Sequence, residues 1–317
     1  VRHGSFQGLR SDKAASEVES EKPATCSSRD GPRVKISSRD RVIFPDAKAA
    51  KGDLADYYES IGALMLPWVA HRPISLVRCP RGRGKKCFFQ KHDAGSFGEH
   101  VKATPLSEKD GGVADYLYIE TVAGILACVQ MGTIEFHGWG SRIDPLEKPD
   151  RMVFDLDPDE GLDFGDVRKA AQDIYRTLAD LGLVSYAMLS GGKGVHVIVP
   201  LEPQAEWPEV KDFARRLSTA LARSEPDRFA ATMSKEKRKG KIFIDWLRNQ
   251  RGSTSVVPYS ARARTGAPVA APVSWAELDD YDSAQHFGIR DAGELIGRAN
   301  GPDLRNWGRK SQVLPNL

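Results

Sequence analysis

The chain has 317 residues, 40% of them hydrophobic and 8% aromatic, and a formal net charge of +3. It is long enough for one large or two ordinary domains with a substantial core. Its near-neutral charge excludes recognition of an anionic partner by bulk electrostatics, so any such surface must come from local clusters. No apolar run is long enough to span a bilayer and no secretory signal pattern is visible, so the expectation is a soluble cytoplasmic protein without membrane contact. Cys26, Cys79, Cys87 and Cys128 are scattered without metal-ligand spacing and are expected to be reduced, inert thiols.

Residues 1–33 are rich in Ser, Lys, Glu and Gly and read as a linker or tail, leaving 34–317 as the folded domain. Leu54, Tyr57, Tyr58, Ile61, Leu64, Met65 and Trp68 recur at helical spacing and predict a helix from about residue 53. A strand at 73–77, a basic loop, a strand at 116–120, a short helix at 122–129 and an extended 134–137 follow. The clearest unit is a strand from Met152, then a helix over 164–181 stopped by Gly182. Strands at 186–189 and 195–199 are joined by a glycine-rich link and read as a hairpin. A helix over 208–223, a basic loop, a strand ending at Asp245 and a helix at 274–280 complete the pattern, an α/β or α+β core with a mixed sheet.

Chemistry concentrates at Asp155-Leu156-Asp157-Pro158. Residues i and i+2 of a strand share a face, so the two carboxylates project side by side. Such a pair suits a solvated strand end, or a site where divalent cations offset the repulsion and a third carboxylate, Asp245, arrives from another strand. The turn Ser190-Gly191-Gly192-Lys193-Gly194-Val195-His196 lets backbone N–H groups approach an anion, although it lacks Walker A spacing. Lys235, Lys237, Arg238, Lys239 and Lys241 lead into the Asp245 strand, and Arg248, Arg251, Arg262 and Arg264 extend the positive supply. Phe88 and Phe89 lie between basic residues, and cannot both face one core if they sit on a one-sided sheet. His137 alone says little.

Taken in order, Asp155-Leu-Asp157-Pro158, Ser190-Gly-Gly-Lys-Gly-Val-His196 and Ile244-Asp245-Trp246 resemble the motifs of the archaeo-eukaryotic primase superfamily, and within it the polymerase module of bacterial LigD. Arg41-Val-Ile-Phe-Pro45, Phe88-Phe89-Gln-Lys91, Ile134-Glu-Phe-His137 and Asp245-Trp-Leu-Arg248-Asn249 support the resemblance, which runs from about Val34 to the C-terminus. It implies a primase-like catalytic core of mixed β-sheets flanked by helices, and a nucleotidyltransferase of non-homologous end joining. It implies that Asp155, Asp157 and Asp245 hold two divalent ions, Mn²⁺ in preference to Mg²⁺. It further implies that Ser190, Lys193, His196 and Arg248, with Arg262 and Arg264, cradle an NTP or dNTP, and that His137 lies near its sugar, where ribonucleotides are favoured. Phe88 and Phe89 would stack on template bases, Arg41 and Lys51 would bind a 5′-phosphate at a gap or broken end, and Lys235 and Arg238 would belong to a loop that steers the primer. Residues 102–112 would form a second DNA-contacting loop. Ligase and nuclease modules of the same polypeptide, the protein Ku and a nucleoid-associated location are implied in the same way.

Two rival functions share part of this pattern. A nucleotide-sugar glycosyltransferase also uses Asp-x-Asp, but needs neither Asp245 nor the basic-aromatic segment. A catalytically silent module that bridges DNA ends needs the aromatics and cations but not the three acids.

Overall fold

The computed structural model describes residues 34–108 and 110–315; the expected linker and Cys26 lie outside the described residues. Strands β1 (Val42–Phe44) and β2 (Ala49–Ala50) lead into helix α1 (Lys51–Val69). Next come β3 (Ile74–Arg78), β4 (Phe88–Gln90), β5 (Lys102–Ser107), β6 (Val113–Tyr118), α2 (Val122–Gln130) and β7 (Thr133–Trp139). The second half runs through β8 (Arg151–Pro158), α3 (Phe164–Asp180), β9 (Tyr186–Leu189), β10 (Val195–Pro200), α4 (Trp207–Ser224), β11 (Phe229–Ala230), β12 (Ile242–Asp245), β13 (Thr254–Val256), β14 (Ala271–Val273) and α5 (Ala292–Asn300). No helix among the described residues is long and apolar enough to cross a membrane.

Strand β8 explains how these elements assemble. Met152, Phe154 and Leu156 alternate onto one face and are fully buried in the same core as Val167, Ala171 and Ile174 of α3 and Val210, Ala214 and Leu217 of α4. Each large apolar side chain buried this way contributes ~1.5–3 kcal/mol. The opposite face carries Val153, Asp155 and Asp157. Val153 joins Met188, Ile198 and Val256 in a smaller core, so two sheets meet on this side while the carboxylates occupy its open end. One sheet has six strands in the order β11-β12-β8-β10-β9-β14, and the other has four in the order β13-β7-β3-β4. Helix α3 begins where the sequence implies, with the Asp163 carboxylate accepting the Asp166 N–H at 2.9 Å.

The expected hairpin is present, with β9 and β10 antiparallel and Ser190 to Gly194 as its turn. Gly191 holds φ +65°, and a Cβ on Gly194 would stand 1.8 Å from the Leu156 carbonyl oxygen, between the two aspartates of β8. Two expected local structures differ. Lys102–Ser107 form strand β5, paired antiparallel with β6, so only the later part of 102–112 lies outside a strand, and 274–280 make a capped turn ending in a short 3₁₀ segment, Leu278–Asp280. Ser274 and Glu277 cap each other as at a helix start, but Asp279 and Asp280 put negative charge where a helix would need to end, which disfavours continuation. The helix that does form nearby is α5.

The cysteine expectation is also corrected: Cys79 and Cys87 form a disulfide, while Cys128 is a buried free thiol. Antiparallel pairing of Arg78 with Phe88 places the next residue of β3 opposite the residue before β4, and those are the two cysteines. The bond closes the Arg/Lys-rich loop at the base of the aromatic strand.

Tyr58, on α1, donates its hydroxyl hydrogen to the Ile134 carbonyl at 2.7 Å and accepts the Ala261 N–H at 2.8 Å, tying the helix to β7 and to the segment carrying Arg262. Tyr58→Phe leaves both backbone groups without that partner in the core, and is expected to lower unfolding free energy by about 1–3 kcal/mol in urea denaturation. Gly194→Ala must push β10 away from β8, and is expected to cost about 1–3 kcal/mol by the same measurement.

Candidate active site

Register builds the site. Strand β8 lies between β12 and β10, and Asp155 is directly opposite Asp245 on one neighbour and His196 on the other. Directly opposed residues in a sheet have Cβ atoms about 4.5–5.5 Å apart, so an Asp245–Asp155–His196 row crosses three strands on one face. Asp157, two residues on, extends the row along β8. Pairing thus places the three predicted carboxylates on one face of the sheet.

The row is held by countercharge. His196 Nε2 lies 3.2 Å from Asp155 Oδ1, and the Arg248 guanidinium lies 3.1 Å from Asp155 Oδ2 and 3.1 Å from Asp245 Oδ2. Burial alone would raise the Asp155 pKa, but His196 and Arg248 hold its carboxyl well below the usual carboxylate range. Asp157 is pushed up by partial desolvation at the cavity wall and by the charge of Asp155. Asp245 is pushed up by burial, which Arg248 opposes and Asp155 reinforces. Positive charge satisfies the middle carboxylate and leaves the outer two undercompensated.

Arg248 reaches this position because Asn249 anchors its turn. Buried Asn249 accepts the Val153 N–H at 2.7 Å and donates to the Val153 carbonyl at 2.7 Å, fastening the turn Trp246–Asn249 onto β8. The Asp245 side chain caps the same turn through the Leu247 N–H at 3.0 Å. Asn249 is a site-building residue that sequence reasoning quoted only as part of a motif.

A cavity of ≈ 180 Å³ opens over Asp155, Asp157 and His196 and is lined also by His137, Ser190, Lys193, Arg248, Arg262 and Arg264, with Asp245 outside the lining. Every nucleotide-binding residue expected from the sequence lies in that wall. Ser190 is buried and its Oγ accepts the Gly192 N–H at 3.2 Å, so the hydroxyl stiffens the glycine turn. Arg262 donates to the Ser190 carbonyl and, through Nε, to Glu135 Oε2 at 3.1 Å. Glu135 went unassigned in the sequence, although its i, i+2 spacing with His137 on a strand was a readable signal.

The donor set suits hard divalent cations: carboxylate oxygens crowded on one face, two of them with raised pKa values and short of positive charge. Among the described residues no group of three or more His, Cys, Asp or Glu is arranged as a ready metal cage. The Arg248 guanidinium spans Asp155 and Asp245 instead.

The expected DNA-facing residues divide. Phe88 and Phe89 are 41% and 70% exposed on β4, an edge strand, with the Arg78 guanidinium 5.4 Å from the Phe88 ring centre. Neither ring is spent on the core, and Phe89 meets the His137 ring edge-on at 5.8 Å. Lys235 is exposed, whereas Arg238 lies 3.5 Å from the Phe243 ring centre and donates to the Thr232 carbonyl at 2.8 Å, beside the acidic row. Arg41 and Lys51 are neighbours, since the Lys51 N–H donates to the Arg41 carbonyl at 2.8 Å. The Lys51 side chain, however, is 1% exposed and its ammonium donates to the Gln130 carbonyl and side-chain oxygens at 2.8 and 2.9 Å. In this conformation Lys51 is a structural cation rather than a displayed phosphate contact.

The family described as LigD, primase-polymerase domain, matches residues 50–302. The multifunctional non-homologous end joining protein LigD of Pseudomonas aeruginosa is 41% identical over 320 residues, covering 96% of this chain but 38% of that protein. The multifunctional non-homologous end joining DNA repair protein LigD of Mycobacterium tuberculosis is 34% identical over 281 residues, covering 84% of this chain and 37% of that protein. The chain thus spans less than half the length of these relatives. Among solved structures, the polymerase domain of Mycobacterium tuberculosis ligase D in complex with DNA superposes with a TM-score of 0.79 at 31% identity, covering 86% of this chain and 97% of that one. The fold is the primase-like one expected from the motifs, and the chain belongs to the LigD primase-polymerase domain family.

Proposed function

We propose that this chain is a DNA-directed nucleotidyltransferase that adds one or a few nucleotides, ribonucleotides by preference, to a 3′-hydroxyl at gaps or broken ends during non-homologous end joining. The observation that carries this reading is a cavity walled by Lys193, Arg248, Arg262 and Arg264 over Asp155 and Asp157, with Asp245 paired to Asp155 on the next strand. A relative's structure bound to DNA supports a DNA partner here. Family membership argues against the nucleotide-sugar glycosyltransferase, and three acids on one face argue against a silent end-bridging module.

Asp155, Asp157 and Asp245 would hold two divalent ions, Mn²⁺ by preference with Mg²⁺ as substitute. When bound, such ions acidify the attacking hydroxyl and neutralise charge on the leaving diphosphate. The protein's own groups do the rest. Lys193 and the backbone of the glycine turn receive phosphate oxygens, and Arg262 and Arg264 add positive charge from the facing segment. His196 and Arg248 keep Asp155 ionised, so it is ready as an oxygen ligand. Arg248, now shared between two aspartates, becomes available to phosphate once those carboxylates are otherwise neutralised. His137 reads the sugar, Phe88 and Phe89 stack on template bases, and Lys235 and Arg238 border the primer path. Arg41 is the expected 5′-phosphate contact. Ku and the ligase and nuclease modules of a longer polypeptide are the expected partners, in the cytoplasm and at the nucleoid of a bacterium.

The purified chain is expected to extend a gapped, 5′-phosphorylated duplex with Mn²⁺ and a nucleoside triphosphate; absence of any extension overturns the reading. Asp155→Ala is expected to reduce the rate by about 10²–10³-fold or more in single-turnover assays, as removal of preorganised charge does elsewhere. Phe89→Ala is expected to weaken gapped-DNA binding by about 1–3 kcal/mol in anisotropy titrations, the worth of one stacked base.

A further inference from the structure

One carboxylate just behind the cavity wall, bonded to its lining residues His137 and Arg262, has no part in the reading above. Glu135, on β7, is 8% exposed, and each of its oxygens is committed. Oε2 lies 2.8 Å from His137 Nε2 and 3.1 Å from Arg262 Nε, while Oε1 accepts the Ala263 N–H at 2.7 Å. Opposed by burial but outweighed by the hydrogen bond from His137 and the charge of Arg262, its pKa falls to about 2. It is therefore ionised at neutral pH and accepts hydrogen bonds only.

That fixes the neighbouring imidazole. Burial lowers the His137 pKa against the pull of Glu135, so the ring is neutral above its ordinary value and carries a single N–H. A ring nitrogen held 2.8 Å from a carboxylate must carry that hydrogen, so Nε2 donates and Nδ1 keeps a lone pair. Nδ1 has no hydrogen-bond partner among the described residues, and the ring forms part of the cavity wall.

We propose that Glu135 is the positioning residue behind the ribonucleotide preference: by taking the Nε2 hydrogen of His137 it leaves Nδ1 as an acceptor for the 2′-hydroxyl of an incoming nucleoside triphosphate. This rests on the proposed polymerase function and on His137 as the residue nearest the sugar. A deoxynucleotide has no hydrogen to offer Nδ1, and once a bound nucleotide covers the cavity an acceptor left unpaired there is how a site rejects an analogue lacking one hydroxyl. The same carboxylate holds Arg262, which in turn donates to the Ser190 carbonyl of the glycine turn. Sugar reading and phosphate binding thus share one anchor, and Phe89 extends it toward the template through its edge contact with His137.

The test is Glu135→Gln, whose amide keeps size and an acceptor for the Ala263 N–H but offers N–H rather than an ionised oxygen on its other side. Circular dichroism and thermal melting first verify that the variant folds. The ratio of kcat/KM for ATP over dATP is expected to fall by about tenfold or more, chiefly through a higher KM for ATP, while any rise in KM from a loosened Arg262 is common to both nucleotides and cancels in the ratio. ¹⁵N NMR of the ring is expected to show the Nε2–H tautomer in wild type and its loss in the variant. In a His137→Ala background, Glu135→Gln is expected to change the ratio no further. A folded variant with the wild-type ratio overturns the proposal, as does a uniform fall in kcat for both nucleotides. A wild-type protein that does not favour ATP overturns the underlying sugar reading instead, and the NMR tautomer then reports separately on whether Glu135 orients His137.

Discussion

Three carboxylates on adjoining positions of two paired strands are the constraint around which this molecule is arranged. Antiparallel pairing of β8 with β12 puts Asp245 beside Asp155, and the strand repeat puts Asp157 next to both. At such separations their repulsion is costly in a partly desolvated setting, so the fold must supply positive charge at fixed points. Arg248 supplies it from the turn that Asp245 caps, and His196, on the strand on the other side of β8, adds a side-chain partner for Asp155. Asn249, bonded to both polar groups of Val153, prevents that turn from rotating away. Gly194 follows from the same requirement, because β10 approaches the Leu156 carbonyl too closely for any side chain. The acidic row, the cationic turn and the glycine hairpin form one solution rather than three independent motifs.

Much of this was legible because it is local. The alternation Met152-Val-Phe-Asp155-Leu-Asp157 announces a strand with one apolar face, and helix α3 is signalled by Val167, Ala171, Ile174 and Leu178 at helical spacing. What escaped was nonlocal or weakly encoded. Cys79 and Cys87 become neighbours only through the Arg78–Phe88 register, which no spacing rule reveals. Lys51 looks like any exposed cation at a helix start, yet Gln130, far along the chain, draws it inside. Helix α5 contains Gly293 and Gly297 and buries only Leu295, so its periodic signal is faint, whereas the capped turn at Ser274 and Glu277 imitates a helix start that leads nowhere.

The two sheets divide the work. The six-stranded sheet carries the acidic row and the glycine turn, groups that handle charge. The four-stranded sheet carries Phe88 and Phe89 on its edge and Glu135 and His137 nearer its middle, groups whose value lies in shape and in a single hydrogen bond. An edge strand with two exposed phenylalanines costs solvation and invites aggregation, so its persistence needs a compensating use. The disulfide and the Arg78 guanidinium beneath Phe88 hold that edge in place. Under the proposed function, charge chemistry would tolerate some adjustment, since cations can shift among several oxygens, but reading a base and one sugar hydroxyl would not. That asymmetry accounts for a recognition face built on paired strands and a buried, fully bonded Glu135, while exposed Lys193 and Arg264 stand on loops.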